Sequence, residues 1–387
     1  MSTPPSVLFV DHTAALGGAE LYLLDYVRHR EGPHQVLLFE EGPFADRLAS
    51  ADVPTRCLSG ASAVLSFSRA SGLMAALQAI PGGMRLIYQV AQAARACDVV
   101  FANSQKAFLI AAVAGTLTRT PVVWNLHDLL TADHFSSFNT RLVVAMANAF
   151  ATAVVVNSEA TRQSFVDAGG RQSLTRVVYN GLDAQVFEEA RPANVREAQG
   201  IGDAPLVGIF SRLAPWKGQH VLLEALDTLP AVHALLVGEA LFGDEVTYAQ
   251  RLRDEVGQRG LSDRVHFLGF RNDIPALVNA VDVVVHTSVA PEPFGRVIAE
   301  GLLAQKPVIA TRAGGAQEII REGKTGWLVP PGDADALARA IRHVLSDPEE
   351  ARRRARAGRR EARERFSLGT MACALEATIH DAARTGG

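Results

Sequence analysis

Val281-Asp-Val-Val-Val-His286 and, shortly after it, Glu292-Pro-Phe-Gly-Arg-Val-Ile-Ala-Glu300 read as a strand running into a helix. The first run is apolar and β-branched, like a strand buried in a parallel sheet. Arg296 to Leu303 reads as helix, with only Gly301 against it. Phe294 and Gly295 therefore fall at a strand-to-helix junction. The exposed N–H groups of a helix start attract anionic oxygen there, and glycine lets a ligand approach the backbone. Glu292 precedes the turn, and Glu300 lies between one and two helical turns beyond it. Carboxylates only accept hydrogen bonds, which suits the hydroxyls of a polyol attached to a phosphate. The simpler alternative is an acid favoured by the helix dipole plus a surface glutamate.

A second constellation weighs against that alternative. Pro205-Leu-Val-Gly-Ile-Phe210 reads as a strand, Ser211-Arg212-Leu-Ala-Pro-Trp-Lys217-Gly218 as its loop, and Gln219 to Leu226 as an apolar helix. Two cations are thus delivered to the carboxyl end of a strand, where open α/β sheets bind ligands. At about 4 Å from a phosphate each cation contributes roughly 4 kcal/mol at an effective dielectric near 20, before desolvation is subtracted. Two of them would do the work of a metal ion.

Strand-like runs recur at Val7 to Val10, Val36 to Phe39, Val99 to Ala102, Val122 to Asn125, Val154 to Asn157 and Arg176 to Tyr179. Leu206 to Phe210, Ala234 to Val237, Val265 to Leu268, Val281 to His286, Val308 to Ala310 and Trp327 to Val329 continue the series. Alternation with helical segments predicts two doubly wound parallel-sheet α/β domains. The expected division is residues 1–189, a Gly- and Pro-ended link at 190–205, a second domain at 206–365, and a terminal helix within 366–387 that crosses back to the first domain.

With those motifs in hand, the chain resembles glycosyltransferase family four, the retaining nucleotide-sugar enzymes of GT-B fold. The resemblance covers nearly the whole chain. It is carried by Gly17-Gly18-Ala19-Glu20, Trp124-Asn-Leu-His127-Asp128, Asn180-Gly181-Leu-Asp183, the Ser211 to Lys217 loop, the Glu292 to Glu300 element and Gly314-Gly315-Ala-Gln-Glu318. It implies two Rossmann-like domains facing across a cleft, acceptor side first and donor side second. It further implies that Arg212 and Lys217 hold the donor diphosphate, Glu300 the ribose hydroxyls and Glu292 the hydroxyls of the transferred sugar. The backbone from Phe294 through Gly295 to Arg296 would face sugar and phosphates, and Phe270 and Arg271 would lie near the base. His127 would face the transferred sugar from the first domain, and Gly17 and Gly18 would let the first loop approach donor or acceptor. The position after the first Glu of the pair is Gly or Pro in the family. Here Pro293 offers the sugar no backbone N–H.

The implied reaction is metal-independent transfer of a sugar from a UDP- or GDP-linked donor to a glycan, lipid-linked or small-molecule acceptor. An epimerase or hydrolase of the same fold, or a non-catalytic nucleotide-sugar sensor, stays open at this level. The composition fits: 387 residues with 48% hydrophobic content suffice for two cores, and a formal net charge of −3 implies no nucleic-acid partner. Cys57, Cys97 and Cys373 are too few and too scattered for a disulfide framework or a cysteine-rich metal site, so a reducing cytoplasm is expected. The start of the chain lacks the basic region of a signal peptide. Leu142 to Val156 is shorter than a bilayer span and reads as helix running into strand.

Other motifs fail on inspection. Gly323-Lys324-Thr325 lacks the upstream glycine of a phosphate-binding loop, since position 318 is Glu318. Asp333-Ala-Asp335 reads as a helix cap followed by a first-turn acid rather than as a metal site. Residues 53–97 contain no acid and carry Arg56, Arg69, Arg85 and Arg95, so they suit either an anionic membrane's inner face or the cover of the first sheet.

Overall fold

A computed structural model describes residues 3–58, 73–131, 137–240 and 243–385, leaving aside the side chains of 73–80. The chain divides into two compact units, residues 1–181 with 368–387, and residues 182–367. The first holds a seven-stranded parallel sheet: β1 Val7–Asp11, β2 His34–Leu38, β3 Thr55–Cys57, β4 Val99–Ala102, β5 Val122–Leu126, β6 Ala153–Val156 and β7 Thr175–Val177, in the order β3-β2-β1-β4-β5-β6-β7. The second holds six: β8 Leu206–Phe210, β9 His233–Val237, β10 Val265–Gly269, β11 Val283–Val285, β12 Val308–Thr311 and β13 Trp327–Val329, in the order β10-β9-β8-β11-β12-β13.

Both orders reverse direction once, between β1 and β4 and between β8 and β11. In sheets of this kind the crevice outside the carboxyl ends of that strand pair receives the ligand. Side-chain alternation covers both faces of β1: Leu8 and Val10 join one buried cluster, Val7 and Phe9 another. The second sheet explains the one residue that spoke against the helix Arg296–Leu303. A Cβ on Gly301 would lie 2.9 Å from a methyl of Val308 and 3.2 Å from Val284, so glycine lets this helix close onto β11 and β12.

All twelve expected strands form. The thirteenth, β3, is an edge strand of three residues, Thr-Arg-Cys, too short and polar to show a pattern. The expected link needs correction. Residues 190–205 pack into the second unit: Ala193 N–H donates to Ala276 O at 2.9 Å, and Arg196 donates to Ala204 O at 2.8 Å and pairs with Asp282 at 2.7 Å. The helix Ala184–Glu189, placed with the first domain by the sequence, also belongs here, where Asn279 donates to Phe187 O at 2.8 Å. The terminal helix Leu368–Thr385 belongs to the first unit, held by Glu376, which pairs with Arg30 at 3.0 Å and accepts from Tyr26 Oη at 2.5 Å. Of residues 53–97, positions 59–72 lie outside the described residues.

Candidate active site

The second unit gathers its charged groups at the carboxyl ends of β8 and β11. After β8 the chain runs through Ser211 and Arg212 into a short turn at Pro215–Lys217. Buried Gln219 fixes this loop by donating to Ser211 Oγ at 3.0 Å and to Arg212 O at 2.8 Å. Thr287, after β11, donates to Lys217 O at 2.8 Å, and Val289 N–H donates to Trp216 O at 2.8 Å. The Lys217 ammonium lies 4.2 Å from the centroid of the Trp216 ring and forms a salt bridge with Glu292 Oε1.

Glu292 is buried, yet it is richly solvated by protein groups. Oε1 accepts from Ser288 Oγ at 2.6 Å and lies 3.1 Å from His286 Nε2, in addition to its lysine partner. Burial would push the carboxyl up, but Lys217 and His286 outweigh that and hold it well below the usual carboxylate range. Among the described residues the carboxylate's polar contacts all fall on Oε1, and Oε2 has none. The backbone is clamped as well. Gly315 N–H donates to Glu292 O at 2.8 Å, and Gly314, at φ +56°, lies so close that a Cβ would stand 2.2 Å from that oxygen.

Gly295, at φ +91°, turns the chain into the helix Arg296–Leu303, and Arg296 pairs with Glu300 at 3.1 Å one turn on. The Phe294 side chain is buried edge-to-face against Phe366 with centroids 5.4 Å apart, so this residue can offer a ligand backbone rather than ring. Arg212 pairs with Glu245 at 2.9 Å. Phe270 is 54% exposed beyond β10, and the Arg271 guanidinium beside it is held by Asp273 at 2.7 Å. The structure thus joins Lys217 to Glu292 and Arg296 to Glu300, and supplies Arg212 with a partner the sequence did not reveal. His286, Ser288 and Glu245 were all missed. His286 ends a strand-like run, the one signal that was visible.

In the first unit, Gly17 caps the helix Gly18–Val27 in extended conformation, with Gly18 as its first residue. At the carboxyl ends of β1, β4 and β5 lie Asp11, Asn103, Asn125 and His127. Asn103 Nδ2 donates to Asp11 Oδ2 at 2.6 Å, Asn125 Nδ2 to Asn103 Oδ1 at 2.9 Å, and Asn125 Nδ2 lies 2.7 Å from His127 Nε2. Tyr22 packs against the imidazole at 4.9 Å. Burial pushes the imidazole down to about 4 despite Asp11, so it is neutral at pH 7. Burial, with Asp11 and Asp128 adding to it, pushes the Glu20 carboxyl up to about 8. None of Asp11, Glu20, Asn103 and Asn125 was singled out as a site residue, because their meeting depends on strand order. Among the described residues no cluster of three His, Cys, Asp or Glu side chains is placed to hold a metal.

Residues 193–361 match the family described as glycosyl transferases group 1, and residues 17–181 match a glycosyl transferase 4-like domain. HepE of Anabaena, solved with UDP and glucose, is 38% identical and superposes with a TM-score of 0.87 over 97% of this chain and 99% of that one. The chain belongs to glycosyltransferase family four, with the GT-B fold. Among curated members of the family, it is 39% identical over 145 residues to the lipopolysaccharide core biosynthesis glycosyltransferase LpsE of Rhizobium meliloti, 38% of this chain and 41% of that one. It is 32% identical over 240 residues to a GDP-mannose-dependent phosphatidylinositol monomannoside mannosyltransferase of Mycolicibacterium smegmatis, 58% of this chain and 61% of that one. The chain spans about half the length of the curated relatives it matches.

Proposed function

We propose that this family-four member transfers a hexose from a UDP-linked donor to a hydroxyl of a glycan, lipid-linked or small-molecule acceptor, with retention at the anomeric carbon and without a metal ion. The observation that carries this reading is the Lys217–Glu292 pair at the switch point of the second sheet. A UDP donor is favoured over a GDP one by the likeness to HepE, which runs through the whole chain, whereas the likeness to the GDP-mannose enzyme covers 58% of it.

The hard step is departure of a diphosphate while positive charge grows on the sugar. Arg212, Lys217 and the amides that open the helix Arg296–Leu303 stabilise the departing oxygens, preorganised so that little rearrangement is needed as charge develops. Glu292, kept ionised, accepts from sugar hydroxyls through Oε2. Glu300 accepts from the ribose, and Phe270 and Arg271 lie beside the base. The C1–O bond to the diphosphate breaks with its electron pair leaving on phosphate. The acceptor oxygen bonds C1 on the same face, and its proton passes to the departing oxygen. His127 is assigned to orienting the transferred sugar, and Gly17 and Gly18 leave room at the loop after β1.

The reading is tested by incubating EDTA-treated enzyme with UDP- and GDP-hexoses and candidate acceptors, following nucleotide release and the anomeric proton of the product. UDP release with an α-linked product from an α-linked donor is expected. An inverted product, or activity that appears only when a divalent ion is restored, would overturn retention or metal independence respectively.

A peripheral position at the inner face of a membrane is part of this proposal. Between Asp52 and Glu159 the sequence contains only Asp98, Asp128 and Asp133 as acids. The helices Leu73–Ala94, Gln105–Thr118 and Ser137–Phe150, packed side by side on one face of the first sheet, contain none. Met84, Tyr88, Leu117 and Phe138 are exposed on them, with Arg85, Arg119 and Arg141 on or beside them. Among the described residues no helix is long and apolar enough to cross a bilayer, so the contact would lie in the interface, where apolar side chains and cations act together.

A further inference from the structure

We infer that Asp11, Asn103 and Asn125 form a positioning relay that fixes His127 as the neutral tautomer protonated at Nδ1, making it a hydrogen-bond donor to the substrate rather than a proton acceptor.

Groups that can only accept hydrogen bonds fix the orientation of both amides. Asn103 Nδ2 faces the Asp11 carboxylate at 2.6 Å and the Ala19 carbonyl at 3.2 Å. A carbonyl only accepts, so the atom facing it must be the amide nitrogen, and Asn103 Oδ1 is thereby turned toward Asn125. Across the 2.9 Å contact Asn125 must then present its own nitrogen. Flipping Asn125 would set two carbonyl oxygens against each other. The same nitrogen lies 2.7 Å from His127 Nε2, so that ring nitrogen receives a proton and cannot carry one. Asn103 Oδ1, at 3.3 Å from Nε2, is the longer contact and does not compete. In a neutral imidazole the remaining proton sits on Nδ1, which has no partner among the described residues.

The relay is rigidly seated. Asp11 and Asn103 are fully buried and Asn125 is 1% exposed, while Asn103 N–H donates to Val10 O at 2.9 Å. Its members come from the ends of three adjacent strands, β1, β4 and β5, so the sheet sets their spacing. Tyr22 packs against the ring from the helix Gly18–Val27 and restricts its rotation. The low proton affinity of His127 agrees with this arrangement, since a protonated ring would set Nε2–H against the Asn125 amide. A donor at Nδ1 suits a sugar hydroxyl or ring oxygen, and it removes His127 from the role of base. That role rests on the proposed function, whereas the tautomer does not.

Long-range ¹H–¹⁵N correlation spectra of protein labelled with ¹⁵N-histidine at pH 7 test it, with His127 identified by its loss in His127→Gln. Wild type should show a protonated Nδ1 and a bare Nε2. Asn125→Asp presents Nε2 with an acceptor and should move the proton to Nε2, lowering kcat about 10- to 100-fold, as when a partner that orients an imidazole is lost, with little change in KM for the UDP-hexose. Asn125→Ala should leave the tautomer unfixed, with both forms present. A wild-type ring protonated at Nε2 or on both nitrogens would overturn the relay, as would an Asn125→Asp variant that keeps the proton on Nδ1. If the tautomer is as stated but no UDP-hexose is turned over, the relay stands and the proposed donor fails.

Discussion

Lys217 and Glu292, 75 residues apart in sequence, form a salt bridge between the loops that follow two adjacent strands, β8 and β11. The pair does two things at once. It keeps an ionised carboxylate inside the protein beside the proposed sugar site, and it holds a cation where a diphosphate is expected to depart. Removing one partner strands the other, which costs more than the pair itself is worth.

Lys217→Ala should therefore fail on two readouts. Transition-state stabilisation should fall by about 3 kcal/mol, by analogy with loss of one oxyanion donor, and the fold should lose on the order of 3 kcal/mol because buried Glu292 loses its ammonium partner and keeps only Ser288 and His286. Steady-state kinetics and urea unfolding measure the two separately. Undiminished kcat/KM would remove Lys217 from the mechanism.

Gly314→Ala tests the clamp on Glu292. Alanine at φ +56° is strained, and its methyl would fall 2.2 Å from Glu292 O, so the backbone of the Glu292 turn must move. The expected loss exceeds ~1 kcal/mol of stability, accompanied by a fall in activity. A variant with wild-type Tm and turnover would show that the close approach has no role.

The two halves of this site were unequally legible from sequence. The helices Gln219–Leu226 and Arg296–Leu303 could be placed to the residue because a glycine precedes each and an apolar run fills it. Lys217 and Glu292 were singled out because each lies beside such a junction, and Glu300 because it follows one within two helical turns. Glu245 was not, because an acid in the first turn of the helix Gly243–Gln258 looks like an ordinary dipole partner until Arg212 is seen 2.9 Å away. Asp11 and Asn103 were hidden for a related reason. Their contact spans 92 residues and exists only because β4 lies beside β1, an adjacency that strand patterns do not encode. The 190–205 segment misled because it holds itself by backbone and arginine hydrogen bonds rather than by an apolar run.

Glu20 and His127 give stability opposite dependences on pH. Glu20, raised to about 8, binds its proton more tightly in the folded state, so it contributes stability at low pH that is lost as pH rises from about 4.5 to about 8. Glu20→Gln should therefore gain stability relative to wild type as pH increases through that window. His127, lowered to about 4, resists protonation when folded, so its contribution is lost as pH falls from about 6.5 to about 4. His127→Gln should flatten that acid limb. Thermal melts across pH 4 to 9 check both signs, and parallel curves for wild type and either variant would contradict the corresponding assignment.

Membrane contact predicts sedimentation with vesicles containing anionic lipid, weakened by salt and by Met84→Asp, Tyr88→Asp or Leu117→Asp. All three positions are exposed, so these variants should fold normally. Binding that ignores both anionic lipid content and these substitutions would count against it.

The most direct test is calorimetric titration of EDTA-treated protein with UDP, UDP-hexoses and their GDP counterparts, repeated on a folded Lys217→Ala variant. The account predicts tight binding of UDP and a UDP-hexose by wild type and roughly 10²-fold weaker binding by the variant, equivalent to about 3 kcal/mol. Absence of binding by any UDP-sugar, or equal affinity in the folded variant, would contradict it.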